Sequence, residues 1–168
     1  MTLPMIFVRQ VGASVVLVTL TLSLQCAGMT ALIVWARGYL AKSSYRFGPF
    51  RCAELMVKIT TAMIWLQVFE TLLWTAFYRW QCFPSWENAL YFSAASYSTV
   101  GYGDVILPRV WRLLGPVESV TGVLMCGLSA SLLFAVVTRL VGHEESFETV
   151  TAKDLALTKG RPHSGEGS

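Results

Sequence analysis

The residues best suited to chemistry are Thr99-Val100-Gly101-Tyr102-Gly103-Asp104, a glycine-alternating run set between apolar stretches. Glycine takes positive φ with little steric penalty, so Gly101 and Gly103 let the backbone alternate in conformation and turn successive carbonyls to one side. Val100 and Tyr102 then point away from that side. Several such strands around one axis would stack rings of oxygen from the carbonyls of Thr99, Val100, Gly101 and Tyr102 and from the Thr99 hydroxyl. Those rings could replace the water around a bare cation, and adjacent rings would let neighbouring ions push one another onward. A phosphate-cradling loop is the competing reading, but the Lys and Ser/Thr that should follow its final glycine are missing.

Irregular backbone of this kind needs elements to hold it. Residues 85–98 are too few to cross a bilayer and read as a short helix that enters and turns back. Ser85 is its N-cap and Glu87 lies in its positive first turn. Apolar stretches flank it on both sides. Spanning ~30 Å of hydrocarbon takes roughly 20 residues at ~1.5 Å each, and three stretches approach or exceed that. An N-terminal segment, 1–36, holds the first span and is expected to be an outer, lipid-facing helix. A basic connector, 37–54, carries Arg37, Lys42, Arg46 and Arg51 and is interrupted by Gly38, Gly48 and Pro49. A pore module, 55–141, follows: outer helix 55–78, short helix 85–98, the glycine run 99–103 and inner helix 112–141. Pro116 is tolerable there only in a first turn or at a kink. Residues 142–168 form a polar tail, expected to continue as helix and then to be partly disordered. The fold class is therefore an all-α membrane protein with three transmembrane helices and a re-entrant helix between the second and third.

Composition agrees with that class. Of 168 residues, 54% are hydrophobic and 14% charged, too apolar for an ordinary soluble domain of this length. The net charge of +3 does not point to nucleic acid, because the basic residues flank apolar segments instead of forming an aromatic-interleaved patch. Cys26, Cys52, Cys82 and Cys126 form no CxxC pair and have no His at ligand spacing, so neither zinc nor a disulfide framework is expected. His143 and His163 read as surface residues of the tail. The first apolar run continues past Cys26 to Trp35, too long for a signal-peptide core, and reads as retained. Lys and Arg are concentrated in the connector and the C-terminal flank, which places both in the cytoplasm. The N-terminus and the 79–112 loop then lie outside, in a multi-pass protein of the cell (inner) membrane.

Thr99 to Asp104, with a short helix before it and pore-length helices around it, resembles the signature filter of the pore-loop potassium channel superfamily. The whole is similar to the small bacterial ion-channel proteins with a two-transmembrane pore module, here with one extra N-terminal span. The resemblance covers roughly residues 55–141. It implies a homotetramer in which each chain supplies a quarter of every oxygen ring, K+ as the permeant ion at Thr99, Val100, Gly101 and Tyr102, and no cofactor or covalent chemistry. Its filter is Thr99, Val100, Gly101, Tyr102 and Gly103, with Asp104 at the outer mouth and Tyr91 placed to hydrogen-bond Asp104. Partners are the chain itself, the lipid bilayer and potassium ions. Two departures stand out. The position four before Thr99, where some relatives have glutamate behind the filter, is Ala95, and the inner-helix glycine hinge has no clean counterpart, with Gly122 and Gly127 straddling its place.

The implied function is passive, potassium-selective transport. A less selective cation channel, which usually departs from Gly-Tyr-Gly, and a non-conducting regulatory membrane subunit are the alternatives. Leu124, Leu128, Ser131 and Ala135 share one face of the third span at helical spacing and could line an inner cavity, although ordinary packing predicts a similar stripe. Glu70 lies inside the second span, where an ionised carboxylate costs roughly 2.5–3.5 kcal/mol, and reads either as a helix-interface hydrogen bond or as a pH-sensitive contact behind the pore. Glu118 reads as a first-turn charge favoured by the helix dipole or as a pore-ring ligand. No span carries arginine at every third position, so no voltage sensor of the usual sort is expected.

Overall fold

A computed structural model describes residues 3–42 and 49–159. It is all-helical over these residues: α1 (Leu3–Lys42), α2 (Pro49–Gln81), α3 (Trp86–Tyr97), a single 3-10 turn (Arg109–Trp111) and α4 (Leu114–Lys159). Among the described residues three segments are long and apolar enough to cross a membrane: Met5–Tyr39, Ala53–Gln81 and Arg109–Thr138, with mean hydropathy 1.8, 1.3 and 2.2. The chain has the helices of a multi-pass membrane protein. With 12 residues, α3 reaches only ~18 Å and cannot cross.

The helices extend further than the expected spans. Gly38 lies inside α1 and Pro49 opens α2, where its missing N–H is no loss because the first turn has no intrahelical acceptor. Residues 43–48 of the basic connector lie outside the described residues, as do 160–168 of the tail. Pro116 falls in the first turn of α4. Hydroxyls within the spans bond to carbonyls four residues back, as in Thr19 to Val15, Ser23 to Thr19 and Thr30 to Cys26. Such bonding explains how an apolar span tolerates these Ser and Thr residues, since their hydroxyl protons are paired within the helix.

Packing falls into two layers. One cluster joins Leu17 of α1, Trp74 and Tyr78 of α2, Ala89 of α3, and Leu107, Trp111 and Leu114 near the start of α4. The other joins Ala36 to Leu55, Ile59 and Met63, with Leu132 and Val136 against it. Many large side chains outside these clusters are exposed, among them Val15, Val16, Trp65 and Phe69. In a bilayer that arrangement carries no hydrophobic penalty, because lipid tails are as apolar as the side chains.

Only 17% of the α1 span is buried, and that buried side is keyed to α2, α4 and the 3-10 turn by polar contacts. Trp74 Nε1 donates to Thr21 Oγ1 at 3.0 Å, and Gln25 Nε2 donates to Ser129 Oγ at 3.0 Å and to the Met125 carbonyl at 3.3 Å. Towards the other end, Gln10 Nε2 donates to the Arg109 carbonyl at 3.2 Å and the Arg9 guanidinium sits 4.9 Å over the Trp111 ring. Thr21 and Gln25 are fully buried. Helix association in lipid draws on such bonds, because no hydrophobic force separates a helix-facing from a lipid-facing side.

Candidate functional site

The site is built on α3. Ser85, in extended conformation, accepts from the Asn88 N–H through its Oγ at 3.3 Å, and Glu87 occupies the first turn. These start the helix. At its other end the chain does not escape into coil: the Ser98 N–H donates to the Ala94 carbonyl, the Thr99 N–H to Ser96 and the Gly101 N–H to Ala95, each at 3.0 Å. The last carbonyls of α3 thus anchor the start of the glycine run, and the negative end of the helix dipole lies beside it, where a cation is favoured.

Through the run itself φ is positive at every second residue, +62° at Thr99, +53° at Gly101 and +78° at Gly103. Gly101 and Gly103 accept this freely. Thr99 is β-branched and does not, and a residue held there costs of order 1–3 kcal/mol. The surrounding bonds at Ser96 and Ala95 hold it. A Cβ placed on Gly101 or Gly103 would meet nothing within 4 Å, so these glycines are required by backbone conformation and not by crowding within one chain.

At the far end of the run Tyr91 Oη donates to Asp104 Oδ2 at 2.8 Å, while Asp104 Oδ1 accepts from the Val105 N–H at 3.0 Å. The Tyr91 ring stacks on Tyr102 with centroids 6.4 Å apart and planes 16° from parallel. Donation to the Asp104 carboxylate holds the Tyr91 phenol above its ordinary pKa, since losing the proton would set two negative oxygens against each other. Val100 and Tyr102 are 52% and 72% exposed, and a concavity of about 340 Å³ opens beside Tyr102, lined by Phe92, Ala95, Ser96, Arg112 and Ser119 among others. One chain leaves this strand half-covered.

Behind the run, side chains from α2 and α4 converge on α3. Tyr97 Oη donates to Glu70 Oε2, and both residues are buried. Tyr78 Oη donates to Glu118 Oε2 at 2.8 Å, and Ser93 Oγ lies 2.5 Å from Glu118 Oε1. Ser119 Oγ donates to the Ser96 carbonyl at 2.7 Å. Gly122 lies so close to the end of α3 that a Cβ there would meet the Tyr97 carbonyl oxygen at 2.3 Å. It is a contact glycine. Gly127, by contrast, has nothing within 4 Å of its Cβ position.

The family model described as an ion channel matches residues 57–139, which takes in α2 from Val57 onward, α3, the glycine run and the apolar part of α4. Residues 57–139 form an ion channel domain of this family. The chain is a channel protein and not an enzyme. A search of curated proteins and a search of solved structures each found no match. In this channel chain Leu124, Leu128, Ser131 and Ala135 are all exposed along one side of α4, while Thr121, Met125 and Ser129 are buried against the other helices. That exposed side does not touch α1 or α2 in the way the buried one does. Sequence reasoning missed the role of Glu118. It is not a free first-turn charge but a fully buried acid with a hydroxyl at each oxygen. The available signal was weak: a lone carboxylate in an apolar stretch, with Ser93 and Tyr78 elsewhere in the chain.

Proposed function

We propose that four copies of this chain form a potassium-selective channel, with the carbonyls of Thr99, Val100, Gly101 and Tyr102 and the Thr99 hydroxyl replacing the hydration shell of K+. The observation that carries this reading is the alternation of positive φ at Thr99, Gly101 and Gly103 directly after a short helix whose carbonyl end abuts the run. Alternation turns successive carbonyls the same way, as a coordinating column needs. Irregular backbone at membrane depth is tolerated only where it lines protein or a wet path, and four strands around an axis provide both. The exposed Val100 and Tyr102 side chains support assembly, because a neighbouring copy would cover them.

In this reading Asp104, braced by Tyr91, forms the outer mouth. Leu124, Leu128, Ser131 and Ala135 face the inner cavity, and the N-terminus lies outside with the tail in the cytoplasm. Permeation is passive and follows the electrochemical gradient. The test is ion flux into liposomes containing only the purified full-length chain, with potassium and sodium gradients compared. Potassium flux well above sodium flux is expected. Absence of flux, or equal flux of the two ions, overturns the reading.

A further inference from the structure

Glu118 is 0% exposed, and among the described residues no Lys, Arg or His pairs with it. Three other groups surround its carboxyl. Tyr78 Oη of α2 donates to Oε2 at 2.8 Å, and Ser93 Oγ of α3 lies 2.5 Å from Oε1 and 3.1 Å from the Thr71 carbonyl of α2. A serine hydroxyl has one proton, and the Thr71 carbonyl, which also accepts from Thr75 Oγ1 at 2.8 Å, can only accept. Both Ser93 contacts become two-centre bonds when Ser93 gives its proton to Thr71 and receives one from Glu118.

We propose that Glu118 is a positioning residue for the filter and that it acts as a neutral acid, donating from Oε1 to Ser93 while accepting at Oε2 from Tyr78. The bonds then form a single directed path from Tyr78 through Glu118 and Ser93 to Thr71, which ties α2, α4 and α3 together at one buried point. Ser93 stands one turn before Tyr97 on α3, and the Thr99 N–H bonds to Ser96 beyond it, so a shift of α3 at Ser93 reaches the start of the filter. Here the brace comes from α4, and Ser93 is the residue of α3 that meets it. A neutral acid also suits the surroundings. The ionisable side chains near it are Tyr78 of α2 and Tyr97 of α3, with Glu70 of α2 bonded to Tyr97 and Cys82 beside Tyr78, and none of them is a cation that would compensate a buried charge.

This inference rests on the conducting role proposed above, and the experiment separates the two. Full-length wild type and the variants Glu118→Gln, Glu118→Ala, Ser93→Ala and Tyr78→Phe are reconstituted in liposomes, their assembled size is checked by crosslinking, and the ratio of potassium to sodium flux is measured. Glutamine donates with its amide and accepts with its carbonyl, so it can replace a neutral acid in this path. Glu118→Gln should keep the wild-type ratio within about twofold and track the wild type from about pH 5 to 8. Glu118→Ala leaves two buried hydroxyls short of a partner, and its ratio should fall by about tenfold or more at unchanged assembled size. If that variant does not assemble, Ser93→Ala and Tyr78→Phe each remove one link and should lower the ratio several-fold. A wild-type ratio in all the variants that assemble overturns the positioning role. A Gln variant as impaired as Ala overturns the neutral state. A difference infrared spectrum of wild type against Glu118→Gln reads the proton without any flux: a protonated-carboxyl C=O band lost in the variant supports the assignment, and no such band refutes it even if the wild type proves silent.

Discussion

The Gly122→Ala substitution tests how α4 holds the proposed filter. The added Cβ would lie 2.3 Å from the Tyr97 carbonyl oxygen, 3.1 Å from its carbon and 3.2 Å from Tyr97 Cδ1. An ordinary C···O approach is about 3.3 Å, so one backbone must retreat by about 1 Å. Neither side can yield cheaply. The obstacle is main chain in the last turn of α3, whose carbonyls anchor Ser98, Thr99 and Gly101, and the Tyr97 side chain is itself bonded to Glu70. Overpacking of this kind costs about 1–3 kcal/mol, against about 1 kcal/mol gained from replacing glycine by alanine inside a helix. The net expectation is a loss of up to about 2 kcal/mol together with a displaced filter, because a functional site tolerates only about 0.5 Å. Gly127→Ala provides the contrast, since its Cβ meets nothing within 4 Å and only the helical gain remains. Thermal melting of the assembled protein and the potassium-to-sodium flux ratio in liposomes measure both effects. Gly122→Ala should melt below wild type and lose selectivity, and Gly127→Ala should do neither. If Gly122→Ala melts at or above wild type with its flux ratio intact, the contact with Tyr97 is not holding the filter.

Further outcomes follow from the same geometry. Gly103 has φ of +78°, so Gly103→Ala forces a side chain into a conformation costing about 1–2 kcal/mol and should abolish or degrade potassium preference, read by the same flux ratio. Gln25→Leu removes both bonds from α1 to α4 and should lower the melting temperature by an amount equivalent to about 1 kcal/mol, whereas an unchanged melt would mean α1 is held by packing alone. Because its bond to Asp104 raises the Tyr91 pKa, that bond is fully present below the unfolded value of about 10 and is lost as pH rises through the higher folded value. Wild type and Tyr91→Phe should therefore differ in flux by a constant factor from about pH 6 to 9, and convergence near neutrality would contradict the assignment. Crosslinking in membranes should end at a four-chain species, and a ladder that stops at two would rule out a closed ring.

Features that depend on neighbours along the chain could be read directly. Apolar length marks three spans because a bilayer imposes a fixed distance on any helix that crosses it. Ser85 followed by Glu87 marks the start of α3, and Pro116 marks a first turn, because capping and the missing proline N–H act within one turn. The glycine pair of the run 99–103 announces positive φ at Gly101 and Gly103. At Thr99 the same conformation was hidden, since nothing about threonine favours it and the bonds from the Thr99 and Gly101 N–H groups to the Ser96 and Ala95 carbonyls hold it.

What the sequence by itself determined is therefore the set of elements and the one irregular stretch between them. Tertiary structure alone decided which sides of those elements meet. Helices that are apolar all round carry no stripe to say which side faces protein and which faces lipid, so the choice is made by single polar contacts between distant residues. Glu118 finds Ser93 and Tyr78 across 25 and 40 residues, and Gln25 finds Ser129 across 104. Gly122 is a contact and not an open position only because the end of α3 happens to lie against it. Partners so far apart share no local pattern, and the fold must bring them together before their chemistry exists.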